Sequence, residues 1–256
     1  VNIELSGQAF HELWEHLGLG VKPLALNVLP DGILESERRE AEHHAVDELR
    51  RYGYGDRDGE DDLLGALQPL RRYERSYDIV YRFRDGDELP RHTGIVANQG
   101  NQATLAVYTG QTVRITTVAN EDMSRAILNV VPEMKPGPGN GVSVRSAVLK
   151  EAGAEAGSSP RALVDALARR GVRREEANAL SEMVGSKRLQ YAQFGAATMD
   201  GLGKRTRMPM VTNCYSNAAG WFLMEENPRG AEPWTTFAPM DKQRMRLRVE
   251  DLFKGR

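Results

Sequence analysis

The sequence predicts an α+β fold built from a duplicated, pseudo-two-fold unit with antiparallel strands, and three observations predict it. Apolar residues recur every three or four positions in some stretches and give way elsewhere to β-branched and aromatic runs, and this change of period happens twice along the 256 residues. A run dense in Pro and Gly, PEMKPGPGNG, lies near the midpoint and supplies a linker at 136–141. The same order of elements, helices then several strands then one helix, stands on both sides of that linker. The chain therefore reads as one domain, 1–256, with an N-terminal half 1–135 and a C-terminal half 142–256. The repetition is one of pattern rather than residue identity. Two meanders of this kind pair edge to edge into one sheet, which covers edges that otherwise invite aggregation.

In the first half, Ser6 is placed to cap a helix whose face carries Phe10, Leu13, Trp14 and Leu17 at the spacing of one helical side. KPLALNVLP then reads as a short strand closed by Pro30, Asp31 and Gly32. A second helix carries Leu34, Ala41, Ala45, Leu49 and Tyr52 and stops at Gly53. The acidic YGDRDGEDD reads as a solvated loop. A third helix begins near Asp61 and is expected to end at Pro69, because proline removes a backbone donor. Four runs, SYDIVYRF, TGIVAN, ATLAVYTG and QTVRITTV, separated by turn-like RDGDELPRH, QGN and GQ, form an antiparallel meander. EDMSRAILNVV follows as a helix with acidic residues at its N-terminus, where the helix dipole favours them.

In the second half, the linker leads into VSV and a stretch rich in small residues. Ser159 before Pro160 marks a helix start, closed at Gly171, and RREEANALSEMV makes its hairpin partner. Strand signals return in LQYAQFGAATMD, RMPMVTNCYS, GWFLMEE and PWTTFAP, and a last helix runs from Asp241 with Met245, Val249, Leu252 and Phe253 on one side. The apolar GWFLM segment is either core or an edge used in homodimerisation.

Composition excludes several function classes. With 34 basic and 36 acidic residues the net charge is -2, so no general cationic field for nucleic acid is present. No run reaches the roughly 18 apolar residues of a spanning helix, so no membrane insertion is expected. The single cysteine, Cys214, forms no internal disulfide and suits a reducing, cytoplasmic compartment.

FHELWEH has the look of a zinc-protease helix, but His11 and His16 stand five residues apart, about 140° around a helix axis, and cannot grip one ion together. His43 and His44 lack a supporting Cys or spaced carboxylate. GPGNG lacks the Lys and Ser/Thr of a phosphate loop, no Gly-x-Ser-x-Gly elbow is present, and the adjacent carboxylates Glu225 and Glu226 face opposite ways on a strand. No catalytic residue, metal or cofactor is expected from these motifs.

The segments LWEHLGLGVKPLAL, PGPGNGVSV and AQFGAATMD, in this order and spacing, resemble the EspG family of cytosolic chaperones associated with ESX (type VII) secretion in actinobacteria, and the similarity runs from about residue 5 to about residue 253. The resemblance implies a pseudo-two-fold α+β fold with a central antiparallel sheet flanked by helical bundles. It also implies a chaperone that binds the tip of the PPE subunit of a PE–PPE-like heterodimer, keeps it soluble and directs it to its ESX system. Gln193, Phe194, Gly195, Ala196 and Ala197 offer small side chains along a strand, and these are the positions expected to meet the partner first. The turn RDGDELPRH matches a family loop of variable length near the partner; here it is short, and Asp85, Asp87 and Glu88 are placed to steer a basic patch. What the resemblance implies is a binder and not an enzyme; a scaffolding protein that uses the same sheet for another partner is the alternative, with a hydrolase behind it.

Overall fold

The computed structural model describes residues 2–28, 35–227 and 232–254. The expected turn at 30–32 and Leu34 lie outside the described residues. The chain divides into two compact units: unit 1 comprises Val1–Val130, Phe194–Val211 and Val249–Arg256, and unit 2 comprises Val131–Gln193 and Thr212–Arg248. These units do not coincide with the two sequence halves, because segments 194–211 and 249–256 of the second half pack with the first.

Unit 1 opens with a strand, β1 (Asn2–Ser6), that the sequence reading did not anticipate; its alternation buries Ile3 and Leu5. Three helices follow, α1 (Gly7–His16), α2 (Glu35–Arg50) and α3 (Arg57–Arg71). Ser6 caps α1 as expected, its Oγ accepting from the Ala9 N–H at 3.1 Å. Phe10, Leu13 and Trp14 are fully buried, each contributing about 1.5–3 kcal/mol of burial free energy. The expected strand after α1 is instead a 3-10 turn, Leu24–Leu26, closed by the Leu26 N–H donating to the Pro23 carbonyl at 2.8 Å. Pro69 does not end α3. It sits inside the helix, and the Gly65 carbonyl that its missing N–H leaves free accepts instead from Gln102 Nε2 at 2.8 Å.

The meander follows as read: β2 (Arg75–Phe83), β3 (Arg91–Gln99), β4 (Gln102–Tyr108) and β5 (Thr112–Ala119), with β1 pairing antiparallel to β5. A short helix, α4 (Met123–Leu128), comes after a 3-10 turn at Asn120–Asp122.

In unit 2 the linker is docked rather than loose. Trp221 donates its N–H to the Lys135 carbonyl at 2.8 Å, and the Gly137 N–H donates to the Trp221 carbonyl at 3.1 Å. Then come β6 (Val142–Arg145) and three helices, α5 (Ser146–Ala156), α6 (Pro160–Arg169) and α7 (Arg174–Val184). Helix α5 is the small-residue stretch, and it was hidden because only Ala152 and Ala156 are buried, too narrow a stripe to show a period. The remaining strands are β7 (Gln190–Met199), β8 (Arg205–Arg207), β9 (Thr212–Asn217), β10 (Gly220–Asn227) and β11 (Trp234–Pro239), followed by α8 (Lys242–Asp251). RMPMVTNCYS is thus partly loop, broken at Pro209 between β8 and β9. The GWFLM segment is core: β10 has a neighbour on each side, β9 and β11, and Trp221, Phe222 and Leu223 are buried.

The strand order in unit 1 is β1-β5-β4-β3-β2, with β2 next to β7; in unit 2 it is β6-β11-β10-β9, with β9 next to β7. Each copy therefore starts with a strand that pairs antiparallel to that copy's last strand. The duplicated order extends further than the sequence shows, from one strand and three helices through the meander to a final helix.

Candidate functional site

The chain passes from unit 2 to unit 1 within β7, between Gln193 and Phe194. On the unit 2 side, Gln193 donates Nε2 to Asn213 Oδ1 at 2.9 Å, and the Tyr191 hydroxyl donates to the same oxygen at 2.7 Å. Asn213 also lines a cavity of about 460 Å3 between α5 and the sheet, with Leu149, Met224 and Phe237 as apolar walls and Lys150 and Glu226 as charged ones. Glu225, on the opposite face of β10, points to Arg248 at 3.6 Å, so the two adjacent carboxylates do face different ways. On the helices of this unit, Arg170 hydrogen-bonds Glu155 at 2.8 Å and Glu151 at 3.2 Å and holds the Glu155 carboxyl below its usual range.

On the unit 1 side, Phe194, Gly195, Ala196 and Ala197 are all buried, so these four positions present packed strand rather than free side chain. Gly195 does permit a close approach, but what approaches is a side chain of the same unit. A Cβ there would stand 2.2 Å from Arg207 Nη2 and 2.9 Å from Asp78 Oδ1. Arg207 makes a two-pronged bond to Asp78, at 2.9 and 3.0 Å, and Arg205 donates Nε to the Tyr73 hydroxyl at 3.1 Å. Sequence reasoning passed over this cluster. Its signal was the alternation Arg205-Thr206-Arg207 after the turn DGLGK, which sends both arginines to one face of a strand. The turn is held by Asp200, whose Oδ1 accepts from the Leu202 and Lys204 N–H groups at 2.9 Å each, and it leaves Leu202 96% exposed.

Asp85, Asp87 and Glu88 are exposed on a tight turn between β2 and β3. The Glu88 N–H donates to the Asp85 carbonyl at 2.9 Å, and Gly86 takes the left-handed φ of 59° that the turn needs. At its base Tyr81, Phe83 and His92 form an aromatic cluster with Phe83 and His92 ring centres 5.0 Å apart, and desolvation there lowers the His92 pKa. The structure therefore places the acidic turn as a solvent-facing group of carboxylates.

The histidines of FHELWEH go separate ways. His11 Nδ1 lies 2.6 Å from Lys22 Nζ, whereas His16 lies 3.3 Å from Glu60 and against the Tyr54 ring. Among the described residues no three His, Cys, Asp or Glu side chains gather as a metal group. Cys214 is buried in β9, and desolvation pushes its thiol pKa up, which keeps it protonated and unreactive. No helix among the described residues is long and apolar enough to cross a membrane.

With the two units and their surfaces established, comparison with known proteins bears directly on the family. The model of the EspG family matches residues 6–251. The chain belongs to the EspG family. The type VII secretion system chaperone EspG5 of Mycobacterium tuberculosis, solved in complex with a PE25–PPE41 dimer, overlays on this EspG-family chain with a TM-score of 0.76 at 14% identity, over 100% of this chain and 96% of that one. At that identity the overlay shows the shared fold. An N-terminal dehydratase from the difficidin assembly line aligns with 75% of this chain and 87% of its own at 9% identity, with a TM-score of 0.12, and carries no argument. No curated protein matches the chain.

Proposed function

We propose that this EspG-family chain is a cytoplasmic chaperone of type VII secretion that binds a PE–PPE-like heterodimer through the tip of its PPE subunit, keeps it soluble and directs it to its own ESX system. The observation that carries the proposal is the family match over residues 6–251, together with the fold shared along the whole chain with a chaperone solved on a PE–PPE dimer. The role is binding and not catalysis, and the only thiol is buried. Gln193, held by Asn213 at the cavity of unit 2, is the member of the 193–197 run that retains partial exposure. Phe194, Gly195, Ala196 and Ala197 serve by fixing that strand. Asp85, Asp87 and Glu88 steer a cationic patch on the partner and raise its association rate.

Co-expression tests the proposal. A PE–PPE pair encoded near this chain's gene is expected to become soluble and to co-purify with it only when both are present. Reversing the three charges of the 85–88 turn is expected to slow association by about tenfold at low salt and by less at high salt. A pair whose solubility is the same with and without the chain overturns the reading.

A further inference from the structure

We propose that a cleft in unit 1, distinct from the cavity of unit 2, is a docking site for an acidic segment bearing apolar side chains on a second protein. The cleft has a volume of about 440 Å3 and an apolar floor made by Leu70, Ile79, Ile95 and Met199. At its mouth stand Val21 and Leu24, 95% and 83% exposed. These two side chains are held in the open by design of the backbone around them. Leu19 and Leu26, on either side, are buried; the Trp14 Nε1–H donates to the Gly20 carbonyl at 2.7 Å, and the Thr93 hydroxyl donates to the Ala25 carbonyl at 2.5 Å. A rigid segment that keeps two large aliphatic side chains in water across a concave apolar floor is the pattern of a contact surface.

Charge selects the partner. Lys22, Arg71, Arg91, Arg205 and Arg207 line the cleft against one carboxylate, Asp78, which Arg207 already neutralises; Lys22 is itself paired with Glu15 at 3.2 Å, so the charge open to a partner is carried by the arginines. The whole chain carries a net charge of -2, so this cationic cluster is a local feature. Among the described residues Arg71 and Arg91 have no carboxylate partner, and both are exposed. A phosphate backbone would use the cations but leave Val21, Leu24 and the floor uncovered; a segment mixing carboxylates with leucine-like side chains uses both. The inference does not rest on the PE–PPE reading, because none of Asp85, Asp87, Glu88 or Gln193–Ala197 lines the cleft.

Fluorescence anisotropy with a labelled short peptide alternating glutamate and leucine tests it on the full chain. Saturable binding is expected, weakened about tenfold or more by Arg71→Glu with Arg91→Glu or by Leu24→Asp, and retained by Arg71→Lys with Arg91→Lys. Lys150→Glu, in the unit 2 cavity, is expected to leave peptide binding unchanged. The charge-reversed protein is also expected to keep a co-purifying PE–PPE pair. Equal binding of a glutamate–serine peptide, or tighter binding of a single-stranded oligonucleotide, overturns the proposal, as does unchanged affinity in the charge-reversed protein. Loss of the PE–PPE pair together with the peptide overturns it as well, since the cleft would then belong to the cargo.

Discussion

Gly195 shows how a residue read correctly for its size is read incompletely for its neighbour. A strand glycine signals that something comes close, and the sequence alone does not say what; the structure puts the Arg207 guanidinium there, bonded to an Asp78 side chain that is only 17% exposed. Gly195→Ala is therefore expected to push Arg207 away and leave Asp78 poorly paired, lowering stability by about 1–2 kcal/mol in urea titration. In an Arg207→Ala background the same substitution is expected to lower it by clearly less, because the closest contact, with the guanidinium, is already gone and only the Asp78 oxygen at 2.9 Å remains. An identical loss in both backgrounds would show that the glycine serves something other than the guanidinium. The acidic turn was legible to the residue, since Asp85, Asp87 and Glu88 are exposed in a turn as the sequence suggests. Phe194, Ala196 and Ala197 were legible as strand but not as core, because burial depends on what the other elements of unit 1 lay over them. Arg205 and Arg207 gained their meaning only from Tyr73 and Asp78, more than a hundred positions earlier in the chain.

At the scale of elements, what the sequence showed and what it hid divide by the width of the apolar stripe. Helices α1 and α6 carry broad buried faces and a serine cap, with Ser159 Oγ accepting from the Ala162 N–H at 3.2 Å, and both stand where their caps place them. Helix α5 and strand β1 bury too few residues to declare a period. Helix α3 hid its last turn behind Pro69, because the rescue of the Gly65 carbonyl comes from Gln102 on another element. The linker is the converse case: its Pro and Gly content correctly marks an irregular segment, yet Gly137 is there for contact. A Cβ on Gly137 would stand 2.0 Å from the Phe222 ring, and Phe222 is part of the unit 2 core. Gly137→Ala is expected to destabilise the protein by about 1–3 kcal/mol or more, as overpacking does, and to lower the melting temperature. Gly139→Ala, with open space around it but φ of 96°, is expected to act through backbone strain alone and to cost less. A loose tether would give no loss at Gly137, so an unchanged melting temperature there removes the docked-linker account.

At the scale of the molecule, the duplicated order was visible while the partition was not. Unit 1 takes segments 194–211 and 249–256 from the second half, so residues 1–135 alone lack the strand beside β2 and lose the contact of Tyr77 with Phe253, whose rings are centred 5.0 Å apart. Residues 1–135 expressed alone are expected to show no cooperative urea transition, and adding 142–256 in trans is expected to restore one. A sharp transition in 1–135 by itself would show that the first half is self-sufficient. Chain connectivity obscured this, because the residues that complete unit 1 arrive only after most of unit 2 has been written. The strand that opens each copy nevertheless has a plain consequence for how such a chain arises. Asn2 lies opposite Thr116 and Val142 opposite Phe237, so in each copy the point of entry lies beside the last strand. A module whose opening strand is paired within itself carries its own edge strand when it is copied in tandem, and each copy is then free to acquire its own surface chemistry without rerouting the backbone.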